Sequence, residues 1–293
     1  MDSERVRELE RTAQKCRRNV LRMVEASGHG HLGGAFSAID LVTALYFSKM
    51  RIQPENPKWE NRDRFILSAG HKCMAQYAVL AERGYFPKEI LDTYGSLKSR
   101  IPGHPDMHKL PGIEANTGAL GHGLSIAVGM ALGLKSAGNG ARVYVMMGDG
   151  ELAEGSNWEA VAAAAHHGLD NLVLFLDYNG LQISGRVENI MNFMPAGPKF
   201  EAFGWNVREI DGNDMGQIAA VLEEIPVQNG RPTLVIAHTV KGKGLPFLEN
   251  QAACHYWTPD REELERAIRE VESGLWASGG EHERKEWENE NDR

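Results

Sequence analysis

The sequence predicts an α/β fold in which a doubly wound parallel sheet carries helices on both faces. Short apolar runs alternate with helix-like segments along most of the chain. Several runs are apolar at every position, which is typical of strands buried on both faces of a sheet. With 293 residues, 42% of them hydrophobic, the chain is long enough for one large domain. We expect residues 1–278 to form this domain and the charged residues 279–293 to be a disordered tail.

The first predicted elements are an amphipathic helix, a glycine-rich turn and a second helix. Apolar residues recur at three- and four-residue steps until Ser27–Gly28, where the first helix should end. The glycines of residues 28–34 predict an irregular turn. Ser37 and Asp40 have the spacing of a variant capping box, which would open the second helix.

The remaining elements follow from apolar runs, helical periodicity and glycine or proline breaks. We expect strands at 64–68, 142–147, 171–176, 205–210 and 233–237. We expect helices at 73–83, 88–94, 124–135, 157–167, 215–224 and 259–276. Residues 95–117 contain three prolines and should be irregular. An irregular segment of that length inside a domain is more often functional than idle.

The composition argues against several classes of protein. A net charge of −8 argues against nucleic-acid binding, because a duplex-binding surface needs clustered lysine and arginine. No apolar run approaches the roughly 18 residues of a membrane span, and the N-terminus lacks a signal-peptide pattern. Three scattered cysteines without a CxxC pair indicate reduced thiols. We therefore expect a cytoplasmic protein with no nucleic-acid or membrane partner.

Polar residues and glycines follow four of the predicted strands. His71 follows the first, Asp149 lies between two glycines after the second, and Asn179 follows the third. Lys241 to Gly244 follow the last strand. In an open parallel sheet, ligands bind beyond the carboxyl ends of the strands. The sequence therefore predicts a binding site at this edge.

Asp149 and Asn179 are candidate ligands of a magnesium ion. A carboxylate between two glycines can face an ion without steric cover, and Asn179, 30 positions later, supplies an uncharged amide oxygen. These two oxygens, a backbone carbonyl and ligand phosphates would form the octahedron that Mg²⁺ prefers. The alternative is that Asp149 only caps a tight turn between strand and helix.

The motifs around these strand ends resemble those of transketolase. A GDG followed by Asn179 is the pattern of thiamine diphosphate enzymes, and residues 148–160 resemble its transketolase version. The other segments that resemble the family, in the family's order, are Gly30-His31-Leu32-Gly33, Ser68-Ala69-Gly70-His71, Pro102-Gly103-His104-Pro105, residues 117–123 and Lys241-Gly242-Lys243-Gly244. The resemblance covers roughly residues 20–260 and is to the N-terminal, diphosphate-binding third of the family.

This resemblance implies thiamine diphosphate and Mg²⁺ as cofactors. Asp149 and Asn179 would bind Mg²⁺ through their side chains, and Leu181 through its carbonyl oxygen. Gly150 would contact the diphosphate through its amide, and His71 would hydrogen-bond a phosphate oxygen. The cofactor itself supplies the carbon nucleophile and takes up the electrons of the cleaved bond.

Further residues are assigned by the same resemblance. Gly118 and Leu120 would line the thiazolium and pyrimidine region, and Glu154 would join a carboxylate network between the two active sites of a dimer. The histidines that would face the reactive carbon and the substrate are His31, His71, His104 and His255. Imidazole suits proton transfer because its charge changes near neutral pH. The remaining histidines are predicted to be structural or solvated, although His29 competes with His31.

The resemblance also implies a reaction and a partner. A two-carbon ketol unit would pass from a ketose phosphate to an aldose phosphate. In transketolases the next domain supplies the carboxylate for the pyrimidine and the basic residues for the sugar phosphate, and this chain ends before it. We therefore expect the N-terminal subunit of a split transketolase, inactive alone. Its partner would be a C-terminal, pyrimidine-binding subunit, in an assembly with two copies of each chain.

Two departures from the family's pattern concern the substrate mouth. His31 is followed by Leu32 where the family usually has proline, and His255 is flanked by Cys254 and Tyr256 where the family has Trp-His-Gly. The alternatives are a deoxyxylulose phosphate synthase, the thiamine diphosphate subunit of a dehydrogenase complex, or a non-catalytic regulatory subunit of the same fold. A nucleotide-binding Rossmann domain is disfavoured, because residues 118–123 read GxxGxG and follow a proline-rich loop.

Overall fold

In a computed structural model, which describes residues 2–274, a five-stranded parallel sheet lies at the centre of the chain. Its strands are β1 (Arg64–Leu67), β2 (Val143–Gly148), β3 (Leu172–Tyr178), β4 (Asn206–Asp211) and β5 (Thr233–His238). The spatial order is β1-β2-β3-β5-β4, and every neighbouring pair is parallel. All five lie within two residues of the strands that the sequence predicts.

Helices follow the strands and cover both faces of the sheet. They are α1 (Ser3–Ser27), α2 (Leu32–Ala44), α3 (Cys73–Arg83), α4 (Gly123–Ser136), α5 (Gly155–His166), α6 (Val187–Ile190), α7 (Gly197–Ala202), α8 (Met215–Glu224) and α9 (Arg261–Ser273). A π-helical turn, Leu45–Lys49, extends α2. Short 3₁₀ turns lie at Gly70–Lys72, Lys88–Thr93, Gly150–Ala153 and Ala252–His255.

Successive residues of the strands enter two different hydrophobic cores. In β2, Tyr144 and Met146 join a core that includes residues of α1, α2, α3 and α8. Val143, Val145 and Met147 join a second core with residues of α4, α5 and α7. Because side chains alternate between the faces of a strand, each face of the sheet is covered by its own helices. The predicted doubly wound fold is confirmed.

The start of α2 differs from the sequence prediction. The irregular link is only residues 28–31, and the predicted capping box at Ser37 and Asp40 is wrong, because both residues lie inside the helix and are buried. All residues of α2 are buried, so the helix has no amphipathic period to mark its start. Position 33, inside this helix, has room only for glycine, because a Cβ on Gly33 would lie 2.4 Å from Cys254 Sγ.

Other predicted elements are confirmed with small changes. Residues 88–93 form a 3₁₀ turn rather than an α-helix, and the short helices α6 and α7 were not predicted. Residues 95–117 contain no helix or strand, as predicted. The last helix ends at Ser273, and the predicted tail at 279–293 lies outside the described residues. Across residues 2–274, no helix is long and apolar enough to cross a membrane.

A buried ion pair joins α1 to α2. Arg17 donates two hydrogen bonds of 2.7 Å to the two carboxylate oxygens of Asp40. Asn213 Nδ2 donates to the same carboxylate at 3.0 Å, and Arg17 Nε donates to the carbonyl oxygen of Lys243 at 3.1 Å. This pair therefore connects two helices with the loops that precede α8 and follow β5.

Removing the charge of Asp40 should destabilise the fold strongly. In Asp40→Asn the guanidinium of Arg17, which is 0% exposed, stays buried without its counter-charge. We expect the free energy of unfolding in urea to fall by about 3–5 kcal/mol, the usual cost of breaking a buried pair. Glu265→Gln, which breaks an exposed pair with Arg261, should change it by less than about 1 kcal/mol. Equal effects of the two substitutions would contradict this role of Asp40.

Candidate functional site

The carboxyl ends of four strands bring the predicted site residues to one edge of the sheet. His71 lies in the 3₁₀ turn after β1, Asp149 directly after β2, Asn179 directly after β3 and Lys241 three residues after β5. Gly148 pairs with Asp177, and Tyr178 with His238, so the tips of β2, β3 and β5 are neighbours. The predicted location of the site is where these tips meet.

Asp149 is a buried carboxylate that joins the tips of β2 and β3. Its Oδ1 accepts a hydrogen bond of 2.7 Å from the amide of Gly150, and its Oδ2 accepts one of 2.7 Å from the amide of Gly180. The side chain is 5% exposed as a residue, and burial raises its pKa to about 6, against the opposing effect of Lys72. A buried carboxylate of this kind favours a nearby cation.

Asn179 and Leu181 lie beside this carboxylate. Asn179 is 8% exposed, and its Oδ1 accepts a hydrogen bond of 3.2 Å from the amide of Leu181. The carbonyl oxygen of Leu181 accepts one of 3.1 Å from Lys241 Nζ. The two side chains predicted from sequence are therefore brought together through Gly180, whose amide bonds to Asp149.

These residues fit a magnesium ion that is bound together with an anion. Carboxylate, amide and carbonyl oxygens are the hard ligands that Mg²⁺ takes, and each oxygen keeps a lone pair beyond the bonds described. The described residues contain no group of three His, Cys, Asp or Glu side chains placed to hold a metal. The predicted set contains only one such side chain, so further oxygens must come from the ligand. The capping interpretation of Asp149 is also correct, since a carboxylate can do both.

A buried glutamate, which sequence reasoning missed, ties the loop of residues 117–123 to the strand tips. Glu151 Oε1 accepts hydrogen bonds from Ser68 Oγ at 2.5 Å and from the amide of Gly121 at 2.9 Å. Its Oε2 accepts one of 3.4 Å from the amide of Gly148. Its position after the GDG of β2 was the available signal, because an acid there is 2% exposed.

The same loop passes close to two other predicted residues. At Gly118, φ is +141° and a Cβ would lie 2.7 Å from His104 Cδ2, so only glycine lets the loop approach that ring. At Gly121, φ is +87° and a Cβ would lie 2.5 Å from the Cβ of Glu154. Leu120 is half-buried and Glu154 is exposed. The predicted roles of Gly118, Leu120 and Glu154 toward a cofactor or a second active site stay predictions.

A second buried ion pair lies under the strand tips and was also missed. Lys72 pairs with Asp177, and both residues are buried. Asp177 also accepts a hydrogen bond of 2.7 Å from Ser37 Oγ and one from Thr239 Oγ1. The pair therefore holds the turn of His71 against β3. A charged residue inside an otherwise apolar strand was the available signal.

The four predicted histidines form one cluster around His31. Its ring centroid lies 5.3 Å from that of His255, 5.6 Å from His71 and 6.4 Å from His104. Burial, assisted by neighbouring positive charges, lowers the pKa of His71 to about 2 and that of His255 to about 4. Burial likewise lowers the pKa of His31. At neutral pH these three rings are therefore uncharged, and each can donate one hydrogen bond and accept another.

His29 and Tyr256 form a wall beside this cluster. Tyr256 hydroxyl and His29 Nδ1 are 2.7 Å apart, and the two rings stack with centroids at 5.3 Å. The Tyr256 ring lies 4.8 Å from that of His31, and the residue is 49% exposed. His29 is thus not a member of the cluster. His238 lies apart and contacts Glu209 at 3.1 Å, as a solvated residue would.

Comparison with known proteins gives consistent matches. The sequence model of the family described as "Transketolase, thiamine diphosphate binding domain" matches residues 9–271. One of the two subunits of the apulose-4-phosphate transketolase of Phocaeicola vulgatus is 44% identical over 91% of this chain and 94% of that protein. The 6-deoxy-6-sulfo-D-fructose transketolase subunit of a Clostridium species is 40% identical over 92% of this chain and 98% of that protein.

Solved structures give the same result for the fold. The transketolase of Campylobacter jejuni matches with a TM-score of 0.85 and 33% identity. The match covers 92% of this chain and 43% of that one. A transketolase of Pichia stipitis matches with a TM-score of 0.84, 31% identity and 40% of its length covered. The chain therefore spans less than half the length of these proteins.

Acid should weaken the native chain more than a variant without the buried imidazole of His71. The unfolded ring takes up a proton near pH 6.5, whereas in the folded chain its pKa is about 2. Between these values the unfolded state binds more protons, so stability falls as the pH falls. From pH 7 to pH 5, His71→Asn should spare up to about 2 kcal/mol of the loss in unfolding free energy.

The measurement is urea unfolding at both pH values, with His166→Asn as the control at an exposed histidine. We expect the control to follow the native chain. If His71→Asn showed the same pH dependence as the other two proteins, the desolvated, uncharged state of His71 would be wrong.

Proposed function

Because this chain belongs to the transketolase family, through its thiamine diphosphate-binding domain, we propose that it is one subunit of a two-chain transketolase. In this proposal it transfers a two-carbon ketol unit from a ketose phosphate to an aldose phosphate. The observation that carries it is the pairing of Asp149 and Asn179 at adjacent strand tips beside a cluster of uncharged histidines.

The strand tips would hold Mg²⁺ and the diphosphate of the cofactor. Asp149, Asn179 and the carbonyl oxygen of Leu181 supply oxygens of the kind that Mg²⁺ binds. Gly150 would contribute its amide to the diphosphate, and His71 a ring N–H, which an uncharged imidazole can still donate. Thiamine diphosphate, when bound, supplies a nucleophilic carbon and an electron sink for cleavage of a carbon–carbon bond.

The histidine cluster would handle the protons of the sugar. His31 lies at its centre, His255 lies next to it, and His104 is exposed at its edge, so a substrate entering from solvent would meet His104 first. Uncharged imidazoles can take a proton from a hydroxyl and return it to a carbonyl oxygen. Gly118 and Leu120 would face the cofactor's rings from the loop of residues 117–123.

The partner would be a C-terminal, pyrimidine-binding transketolase subunit. Two similar proteins that match along nearly their whole length are named as subunits of transketolases. The single-chain transketolases are more than twice as long as the part that this chain matches. Glu154, exposed beside Gly121, is placed to contact a second chain, and we propose two copies of each subunit. Three free, buried cysteines favour a reducing compartment such as the cytoplasm.

The substrate is proposed to be a specialised ketose phosphate. Similar subunits are named for apulose 4-phosphate and for sulfofructose rather than for common sugars. Tyr256 stands where the family usually has glycine, and its ring narrows the approach to His31. The wall formed by His29 and Tyr256 is therefore where we place the difference in substrate.

Reconstitution tests the proposed activity. The chain alone, with Mg²⁺ and thiamine diphosphate, should transfer no ketol unit between ketose and aldose phosphates. Mixed with a chain of about 300 residues that carries the pyrimidine-binding domain, encoded beside it, the chain should transfer the unit at ordinary enzyme rates of about 1–1000 s⁻¹. Full activity of the isolated chain, or turnover of pyruvate instead of ketoses by the pair, would contradict the proposal.

Loss of the Asp149 charge should abolish magnesium-dependent cofactor binding. In Asp149→Asn only neutral oxygens remain for the ion. We expect calorimetry to show at least about a 100-fold weaker affinity for thiamine diphosphate with Mg²⁺, equivalent to about 2.7 kcal/mol. Asp92→Asn, which removes an exposed partner of Arg22, should bind as the native chain does. Unchanged affinity in Asp149→Asn would refute the metal assignment.

A further inference from the structure

Lys241 is a buried lysine at the proposed diphosphate site, and its hydrogen bonds end on uncharged groups. The residue is 2% exposed. Its Nζ donates to the carbonyl oxygens of Leu181 at 3.1 Å and Gln182 at 3.4 Å. Among the described residues, its ammonium forms no ion pair within 4 Å. Lysines are almost never fully buried without a carboxylate partner, so an anion is expected beside this ammonium.

Other charges nearby are already balanced or lie on the opposite side. Lys72, the second buried ammonium, is paired with Asp177. Asp149 carries the negative charge that we assign to Mg²⁺, and its oxygens bond to backbone amides rather than to Lys241. Burial also lowers the pKa of Lys241, as expected for a cation that lacks a direct counter-charge. The anion must therefore come from the ligand.

Gln182 supplies a second donor at the same place. Its Nε2 is buried and has no hydrogen-bond partner within the described part of the chain. A Cβ at Gly150 would lie 3.1 Å from Gln182 Cγ and 3.7 Å from Nε2, so the amide group lies against the glycine that we assign to the diphosphate. An unsatisfied buried donor is costly, and a ligand oxygen would satisfy it.

We propose that Lys241 and Gln182 bind the diphosphate, with Lys241 Nζ and Gln182 Nε2 donating hydrogen bonds to phosphate oxygens. This inference rests on the proposed function and adds two residues to its site. It also gives the ammonium a second effect. Lys241 bonds to the carbonyl oxygen of Leu181, which is a proposed magnesium ligand, and two cations on one oxygen repel each other. Lys241 should therefore oppose Mg²⁺ alone and favour Mg²⁺ that arrives with a diphosphate.

The test is calorimetry on the full-length chain with Mg²⁺ alone and with Mg²⁺ plus inorganic pyrophosphate. Lys241→Met should bind magnesium pyrophosphate about 10- to 100-fold more weakly, because a charge-assisted bond is lost. Its affinity for Mg²⁺ alone should be unchanged or higher. A residue that only stabilises the fold would lower both affinities together. Lys241→Arg should keep most of the pyrophosphate affinity.

Lys243→Met is the matched control in the same loop, since Lys243 is half-buried and lies 3.8 Å from Glu249. It should bind magnesium pyrophosphate as the native chain does. Gln182→Leu should weaken that binding about 3- to 10-fold, the effect of one neutral hydrogen bond. This second variant decides the matter if Lys241→Met does not fold.

The outcomes separate this inference from the proposed function. If the native chain binds neither magnesium pyrophosphate nor thiamine diphosphate with Mg²⁺, the proposed cofactor site is wrong. If the native chain binds them and both Lys241→Met and Gln182→Leu bind equally well, only the roles of Lys241 and Gln182 are wrong.

Discussion

A single buried carboxylate, that of Asp149, connects the two strand tips on which the site depends. Its two oxygens accept hydrogen bonds from the amides of Gly150 and Gly180, which belong to different loops. The parallel sheet makes this contact available, because it brings the carboxyl ends of β2 and β3 to the same edge. Burial raises the pKa of this carboxyl, and a cation would hold it in the ionised form. The magnesium assignment follows from this constraint.

The site separates charged groups from uncharged ones. Lys72, Lys241, Asp149 and Asp177 lie buried under the strand tips, where the proposed diphosphate and metal would bring further charge. The histidine cluster lies above β1, and three of its rings are uncharged near neutral pH because they are desolvated. A polyanion is bound best by fixed charges, whereas proton transfer needs groups that can both donate and accept. One edge of the sheet thus provides both environments.

Much of this arrangement could be predicted from the sequence. The strands are uniformly apolar and α8 was bounded correctly at Met215 and Glu224, because periodicity and breaks are local signals. The start of α2 could not be predicted, since a fully buried helix has no polar face and its glycines resemble a turn. The motif glycines located Asp149, Asn179 and the four histidines at the correct edge.

The residues that sequence reasoning missed act through contacts between distant parts of the chain. Glu151 bonds to Ser68, and Lys72 pairs with Asp177, so neither pattern is visible in a short window. Gln182 stands out only because the fold buries its amide without a partner. Tyr256 was visible as a departure from the family pattern, but its contact with His31 required the structure.

The most direct test of the central claim is anomalous diffraction from crystals of the chain with its partner subunit, thiamine diphosphate and Mn²⁺ in place of Mg²⁺. The account predicts a manganese peak bonded to Asp149, Asn179 and the carbonyl oxygen of Leu181, with diphosphate oxygens completing the coordination. A peak elsewhere, or a bound cofactor with no manganese at these strand tips, would contradict it.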